Sequence, residues 1–143
     1  MQDDRPLDRR QLDDVLDALL PFAHQLLDKH GEFFPLGAAM SHDGTVSMVA
    51  GDTGTEHPPS DEVMELIRAA MKRDRDKYVA VGLCYDVRVR TGAGAAPTDA
   101  ICVSLEHRDG MAVDVVEPYA KRGAKIEYGS LSAQQGRKTV FGS

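Results

Sequence analysis

The chain has no tryptophan, only two cysteines, and no apolar run near the roughly 18 residues that would suggest a membrane span. Cys84 and Cys102 are too few for a disulfide framework, and too few to ligate a structural zinc by themselves. They read as reduced thiols, which points to the cytoplasm. The opening Met1-Gln2-Asp3-Asp4-Arg5-Pro6 is acidic and polar where a cleaved secretory signal needs a basic start and an apolar core, so export by that route is not expected. A basic block is missing too. The 17 Lys and Arg stand against 23 Asp and Glu, giving a formal charge of −6, and no cluster of cations interleaves with aromatic residues. Phosphate backbones demand such clusters, so neither nucleic acid nor a membrane is expected as a partner.

Cofactor and metal signatures are absent as well. Gly92-Ala93-Gly94 follows a strand pattern, as a nucleotide-binding loop would. Pro97 and a further strand pattern then come where the dinucleotide fingerprint requires a helix, so no cofactor is expected. His42-Asp43 and His107-Asp109 lie on two turns without a metal-ligand spacing, and His24 and His30 are too far apart on one helix to share an ion.

What is present is a set of clear periodicities. Val79, Val81, Leu83, Tyr85, Val87 and Val89 alternate along Tyr78 to Val89, as in a half-buried strand. Ile101, Val103 and Leu105 do so along Ala100 to His107, and Met111, Val113 and Val115 along Met111 to Glu117. The three strands are expected to share one apolar face. Arg108-Asp109-Gly110 as a three-residue loop pairs Leu105 with Val113 and Val103 with Val115; a two-residue loop would set Leu105 beside Asp114. His42-Asp43-Gly44 does the same earlier, pairing Met40 with Val46 and Ala38 with Met48.

Apolar residues at three- and four-residue intervals from Leu12 to His30 predict one long helix over Asp8 to His30, continuous but kinked at Pro21 and stopped by Gly31. Ser60 is expected to cap a second helix, with Val63, Leu66, Ile67, Ala70 and Met71 as its buried stripe. At 143 residues the chain is one domain. The expected fold is α+β: an antiparallel sheet of about five strands with two main helices, in the order α-β-β-α-β-β-β. Residues 1–7 are a flexible N-terminus and 119–143 an extension whose structure stays open; Lys125 to Tyr128 suits a short extra strand, and Ser130 to Arg137 a loop or an irregular helical turn.

The other face of the long strand carries Cys84, Asp86 and Arg88. With Arg90 near Ala100, Arg88 faces Cys102, Asp86 faces Ser104 and Cys84 faces Glu106; a shift of two residues sets Cys84 against Ser104. Asp86, Arg88, Cys102 and Glu106 are therefore the candidate binding residues, on a polar sheet face joined by Ser104 and Asp114. A thiolate activated by Arg88 is one reading, although His107 points to the other face and cannot serve as its base. The plainer reading is a solvated or subunit-facing surface with cross-strand charge pairs, on which single substitutions leave the fold intact. No catalytic residue is assigned.

The order helix, hairpin, helix, three antiparallel strands, over Asp8 to Glu117, resembles that of roadblock and related profilin-like domains. Phe34-Pro35-Leu36-Gly37, Leu105-Glu106-His107 and Glu117-Pro118-Tyr119 are similar to stretches in small bacterial proteins. The first resemblance implies a non-enzymatic dimeric adaptor, of the kind that often serves small GTPases, with Tyr78 to Arg90 at a sheet edge. Ala80, Gly82, Ala100 and Ala112 are small residues that would let a second copy approach the sheet. The functional expectation is a homodimeric protein-interaction or regulatory module; the alternatives are an acidic neutralising partner for a basic toxin and a small hydrolase or thiol enzyme.

Overall fold

The computed structural model describes residues 5–51, 59–90, 93–94 and 96–142. The readings made above for residues 1–4 and for Gly92 lie outside them. The elements run α1 (Leu7–His30), β1 (Leu36–Ser41), β2 (Val46–Val49), α2 (Ser60–Arg73), a 3-10 turn (Arg75–Lys77), β3 (Tyr78–Val89), β4 (Thr98–His107), β5 (Ala112–Arg122), β6 (Lys125–Tyr128) and β7 (Ser132–Gln135). The chain is thus α+β, with two helices and one antiparallel sheet of seven strands among the described residues.

Helix α1 buries Leu12, Val15, Leu19, Ala23 and Leu27 as one stripe. Pro21 stands inside it on the exposed side, as does Asp17, the residue whose carbonyl loses its donor. Gly31 ends it in the left-handed conformation (φ 75°), its N–H bonded to Leu27 O at 2.8 Å. Helix α2 buries Val63, Ile67 and Met71, while Leu66, expected within that stripe, is 38% exposed. Pro59 occupies the cap position expected for Ser60, which is instead the first helical residue and makes no capping bond.

Both Asp-Gly hairpins have the register their turn chemistry predicts. Met40 pairs with Val46 and Ala38 with Met48; Leu105 pairs with Val113 and Val103 with Val115. Asp43 accepts the Thr45 N–H at 3.0 Å and the Ser41 hydroxyl, and these bonds, the hydroxyl first, lower its pKa to about 2. Gly44 (φ 88°) and Gly110 (φ 114°) supply the positive φ. Strand β5 runs on past Glu117, through Pro118. The Pro118 carbonyl accepts Gly129 N–H at 2.7 Å, so the position that lacks an N–H faces the gap between β6 and β7 and leaves the β4 ladder intact. The stretch left open between loop and helical turn is β7, paired with the first half of β5, while β6 pairs with its second half.

The sheet order is β2-β1-β3-β4-β5-β6, with β7 also on β5. Strand β3 therefore lies in the interior, bonded to β1 and β4, and the expectation that it forms an edge is overturned. Its register on β4 is also different: Gly82 faces Leu105, Cys84 faces Val103 and Tyr85 faces Cys102. This differs by an odd number of residues from both registers considered above, so the faces exchange. Ala80, Gly82 and Cys84 share the α1 side with Ile101, Val103 and Leu105, and Val81 and Leu83 lie on the α2 side with Ala39, Ile67, Met71 and Val140. The small residues do admit a close neighbour, but it is α1 of the same chain. A Cβ built on Gly82 would stand 2.8 Å from Val15 Cγ1 and from Leu19 Cδ1.

Gly82→Ala is expected to destabilise the protein by about 1–3 kcal/mol, the range for overpacking a filled core. Urea unfolding with an unchanged m-value would show it; a midpoint equal to that of the unaltered protein would mean that α1 moves away freely.

Candidate functional site

The structure divides the four sequence-predicted residues between two faces. Asp86 and Arg88 are on the α1 side, Cys102 and Glu106 on the α2 side. Arg88 is largely exposed and pairs with Asp99 at 4.0 Å. Asp86 accepts the Tyr119 hydroxyl at 2.9 and 3.0 Å; partial burial raises its pKa, and that hydrogen bond opposes the rise. Cys102 Sγ lies 3.3 Å from Tyr85 Oη and 4.0 Å from Ser104 Oγ. Burial raises its pKa, and Arg88, expected to activate it, is on the far side of the sheet. Cys84 is buried against α1 and Cys102 on the opposite face, both as free thiols.

Glu106 departs furthest from expectation. It is 3% exposed, and its carboxylate accepts the backbone N–H groups of Thr139 (3.0 Å), Val140 (2.9 Å) and Phe141 (2.6 Å). The C-terminal segment is fastened to the sheet by that one side chain, with Val140 in the α2-side core and Phe141 under the Arg108 guanidinium at 5.6 Å. Glu106 is a structural anchor. Glu106 does lie on the β4 face opposite Leu105, as alternation predicts, but the expectation that this face is solvated there fails because the C-terminal segment folds back over it.

A cleft of about 400 Å³ opens beside that segment on the α2 side. Its floor is a row of cross-strand neighbours, Leu83, Ser104, Asp114 and Gln134, one from each of β3, β4, β5 and β7. Tyr85 reaches Ser104 Oγ at 3.0 Å, and its phenol is pushed up to about 12, chiefly by burial. Arg68 of α2 and Arg137 of the C-terminal segment form walls. Sequence reasoning placed Ser104 and Asp114 on one face but missed both arginines, since only the tertiary fold brings α2 and residue 137 together.

A second polar cluster holds β6 to α1. Glu117 is 7% exposed, and its Oε1 is bonded to His24 Nε2. The Tyr128 ring stacks on His24 at 4.0 Å and its hydroxyl donates to Asp28 Oδ1 at 3.0 Å. A signal for Glu117 existed: it continues the alternation of Val113 and Val115, an acid on a buried face. The hairpin-tip histidines have separate partners, His42 at Asp76 O (2.9 Å) and His107 at Gln11 Oε1 (2.7 Å). Since His107 Nδ1 accepts the Asp109 N–H at 3.0 Å, its proton sits on Nε2.

The two borders of the sheet differ in kind. Strand β7 is exposed throughout and polar, and β6 carries Lys125 and Glu127. Strand β2, Val46-Ser47-Met48-Val49, has neither charge nor proline. Met48 (50% exposed), Phe22 (42%) and Phe34 (42%) line an apolar hollow of about 310 Å³ beside it.

Glu106→Ala is expected to lose about 3 kcal/mol or more in urea unfolding, because three backbone donors lose their acceptor, whereas Arg88→Ala stays within about 0.5 kcal/mol. Comparable losses in the two variants would dismiss the anchor. A second expectation concerns alkaline stability. Burial raises the Cys84 thiol above its ordinary value of 9.0, so the folded state keeps a proton that the unfolded chain releases. The associated stability is present below pH 9.0 and is lost as pH rises above it. The urea midpoint should fall between pH 8 and pH 10, and fall less steeply in Cys84→Ala; equal slopes would count against this origin.

Compared with protein-family models, curated proteins and solved structures, the chain matches none.

Proposed function

We propose that this chain is a non-catalytic protein-interaction module of the cytoplasm that works as a homodimer joined through β2. The observation that carries this reading is the unprotected edge at Val46–Val49, with half-exposed Met48, Phe22 and Phe34 beside it. An edge strand offers a row of unpaired N–H and C=O groups, and soluble proteins usually blunt such rows with charge, proline or a covering segment. The opposite border has that protection, and among the described residues β2 does not. Antiparallel pairing of β2 with its own copy about a two-fold axis is self-complementary, satisfies both edges at once, and extends the sheet across the subunits. The apolar side chains flanking the strand would then be covered by their counterparts.

The resemblance in element order to roadblock-like adaptors supports the same class of function, although β3 in the sheet interior distinguishes this strand order from theirs. The chemistry on the sheet gives a thiol enzyme no support: among the described residues no cation shifts the Cys102 thiol, and the guanidinium invoked for it lies across the sheet. A protein partner of the dimer is expected to meet a surface of net negative charge, since the chain carries −6.

Light scattering coupled to size-exclusion chromatography is expected to give twice the chain mass of 15.6 kDa at micromolar concentration. Met48→Asp should return the mass to 15.6 kDa with an unchanged far-ultraviolet circular dichroism spectrum. A monomer that persists as concentration rises would exclude the dimer, and a dimer unaffected by Met48→Asp and by Ser47→Pro would exclude this edge.

A further inference from the structure

The α2-side cleft is constructed differently from a solvated sheet surface. On this side α2 packs on β1, β2 and β3 and, among the described residues, leaves most of β4, β5 and β7 without a helix over them. An open sheet face of that kind ordinarily carries long, charged, water-seeking side chains. Here it carries a phenol, a thiol and a hydroxyl bonded to one another, Tyr85 with Ser104 at 3.0 Å and Cys102 with Tyr85 at 3.3 Å, all partly or fully buried. Fully satisfied networks of short polar groups hold a surface rigid. The volume of about 400 Å³ falls within the roughly 300–1,000 Å³ of small-molecule pockets.

The charges around this floor are of both signs. Arg68 and Arg137 reach the cleft from two separate elements, and neither makes an ion pair or side-chain hydrogen bond among the described residues. Asp114 stands in the floor row and likewise makes no side-chain hydrogen bond among the described residues, although it is close enough to Tyr85 and Cys102 to oppose their ionisation. Glu106 also borders the cleft, but its oxygens are occupied by the C-terminal backbone. Beyond these groups the lining is mixed, with Met71, Val81, Leu83 and Val140 as an apolar patch on one part and the uncharged polar residues Gln134, Gln135 and Thr139 on another.

We infer that this cleft binds a small zwitterion of the α-amino-acid type. Its carboxylate lies between Arg68 and Arg137, where planar guanidinium groups bind carboxylates in a bidentate manner. Its ammonium faces Asp114, and the Ser104 and Tyr85 oxygens lie on the floor beside it. Its aliphatic side chain rests on Leu83 and Val81. A phosphorylated ligand suits the site less well, since Asp114 would repel it and offset one of the two guanidinium charges that face its double charge.

The test is calorimetric titration of the full chain with L-leucine, set beside 3-methylbutylamine, which lacks the carboxylate, 4-methylpentanoate, which lacks the ammonium, and inorganic phosphate. Saturable binding of L-leucine is expected, with each truncated analogue weaker by about tenfold or more, as the loss of a charge-assisted hydrogen bond implies. Arg137→Ala and Asp114→Asn should each weaken L-leucine binding by a similar factor, with the fold checked by circular dichroism. Arg137 lies in the C-terminal segment outside the helices and strands, so its variant keeps the test decisive should Asp114→Asn fail to fold. If neither L-leucine nor any of the other common amino acids binds at millimolar concentration, the inference is overturned. Phosphate binding more tightly than L-leucine, or affinity for L-leucine that is unchanged in the variants, overturns it equally.

Discussion

The close contact between α1 and β3 at Gly82, where a Cβ would stand 2.8 Å from the methyl carbons of Val15 and Leu19, sets how the other elements are placed. Ala80, Gly82 and Cys84 form a shallow trough in which the helix can lie near the sheet backbone, and the large residues of the flanking strands, Met40, Val103 and Leu105, rise on either side of it. With its small side chains under α1, β3 presents Val81 and Leu83 to the other face, and that face must also be covered. Helix α2 and Val140 cover it over β1 and β3. A strand with two buried faces is the natural centre of a sheet, and this one is the centre.

Two buried carboxylates then hold the C-terminal third to this frame. Glu106 takes the backbone of Thr139 to Phe141, and Glu117 takes His24, over which Tyr128 of β6 stacks. Glu117 sits on an otherwise apolar strand face and Glu106 beside Ser104 on the mixed one, and each is satisfied by groups far away in sequence. A buried carboxylate without such partners costs several kcal/mol, on the order of what a small domain has in total, so these attachments are coupled to the integrity of the sheet. The same geometry shapes the surface: the segment tied to Glu106 forms one wall of the cleft, α2 the other, and β4, β5 and β7 are its exposed floor.

The features with functional meaning therefore lie where this packing stops. At one border the outer side of β2 is apolar and, among the described residues, unpaired, with Phe22 and Phe34 beside it. At the far half of the α2 side, mixed charge and hydroxyl groups surround an open cleft. The two lie on different parts of the molecule, so an assembly through β2 leaves the cleft accessible.

Much was determined by the sequence alone, and in each case the reason is local. Both helices follow from apolar spacing, and Gly31 and Ser60 mark the end of one and the start of the other within a residue of expectation. Both hairpin registers follow from Asp-Gly turns of three residues, because so short a loop leaves only one pairing that keeps apolar residues together. The pairing of β3 with β4 had no such constraint. Their connection is long enough to accept any offset, and alternation of large with small residues in β3 fits a half-buried strand as well as one that is buried twice. Only the approach of α1 to Gly82 chose between them, and a one-residue difference in that choice placed Asp86 and Arg88 on one face and Cys102 and Glu106 on the other. The grouping of a site across strands depends on the parity of a register, and that parity was decided by helix packing from elsewhere in the chain.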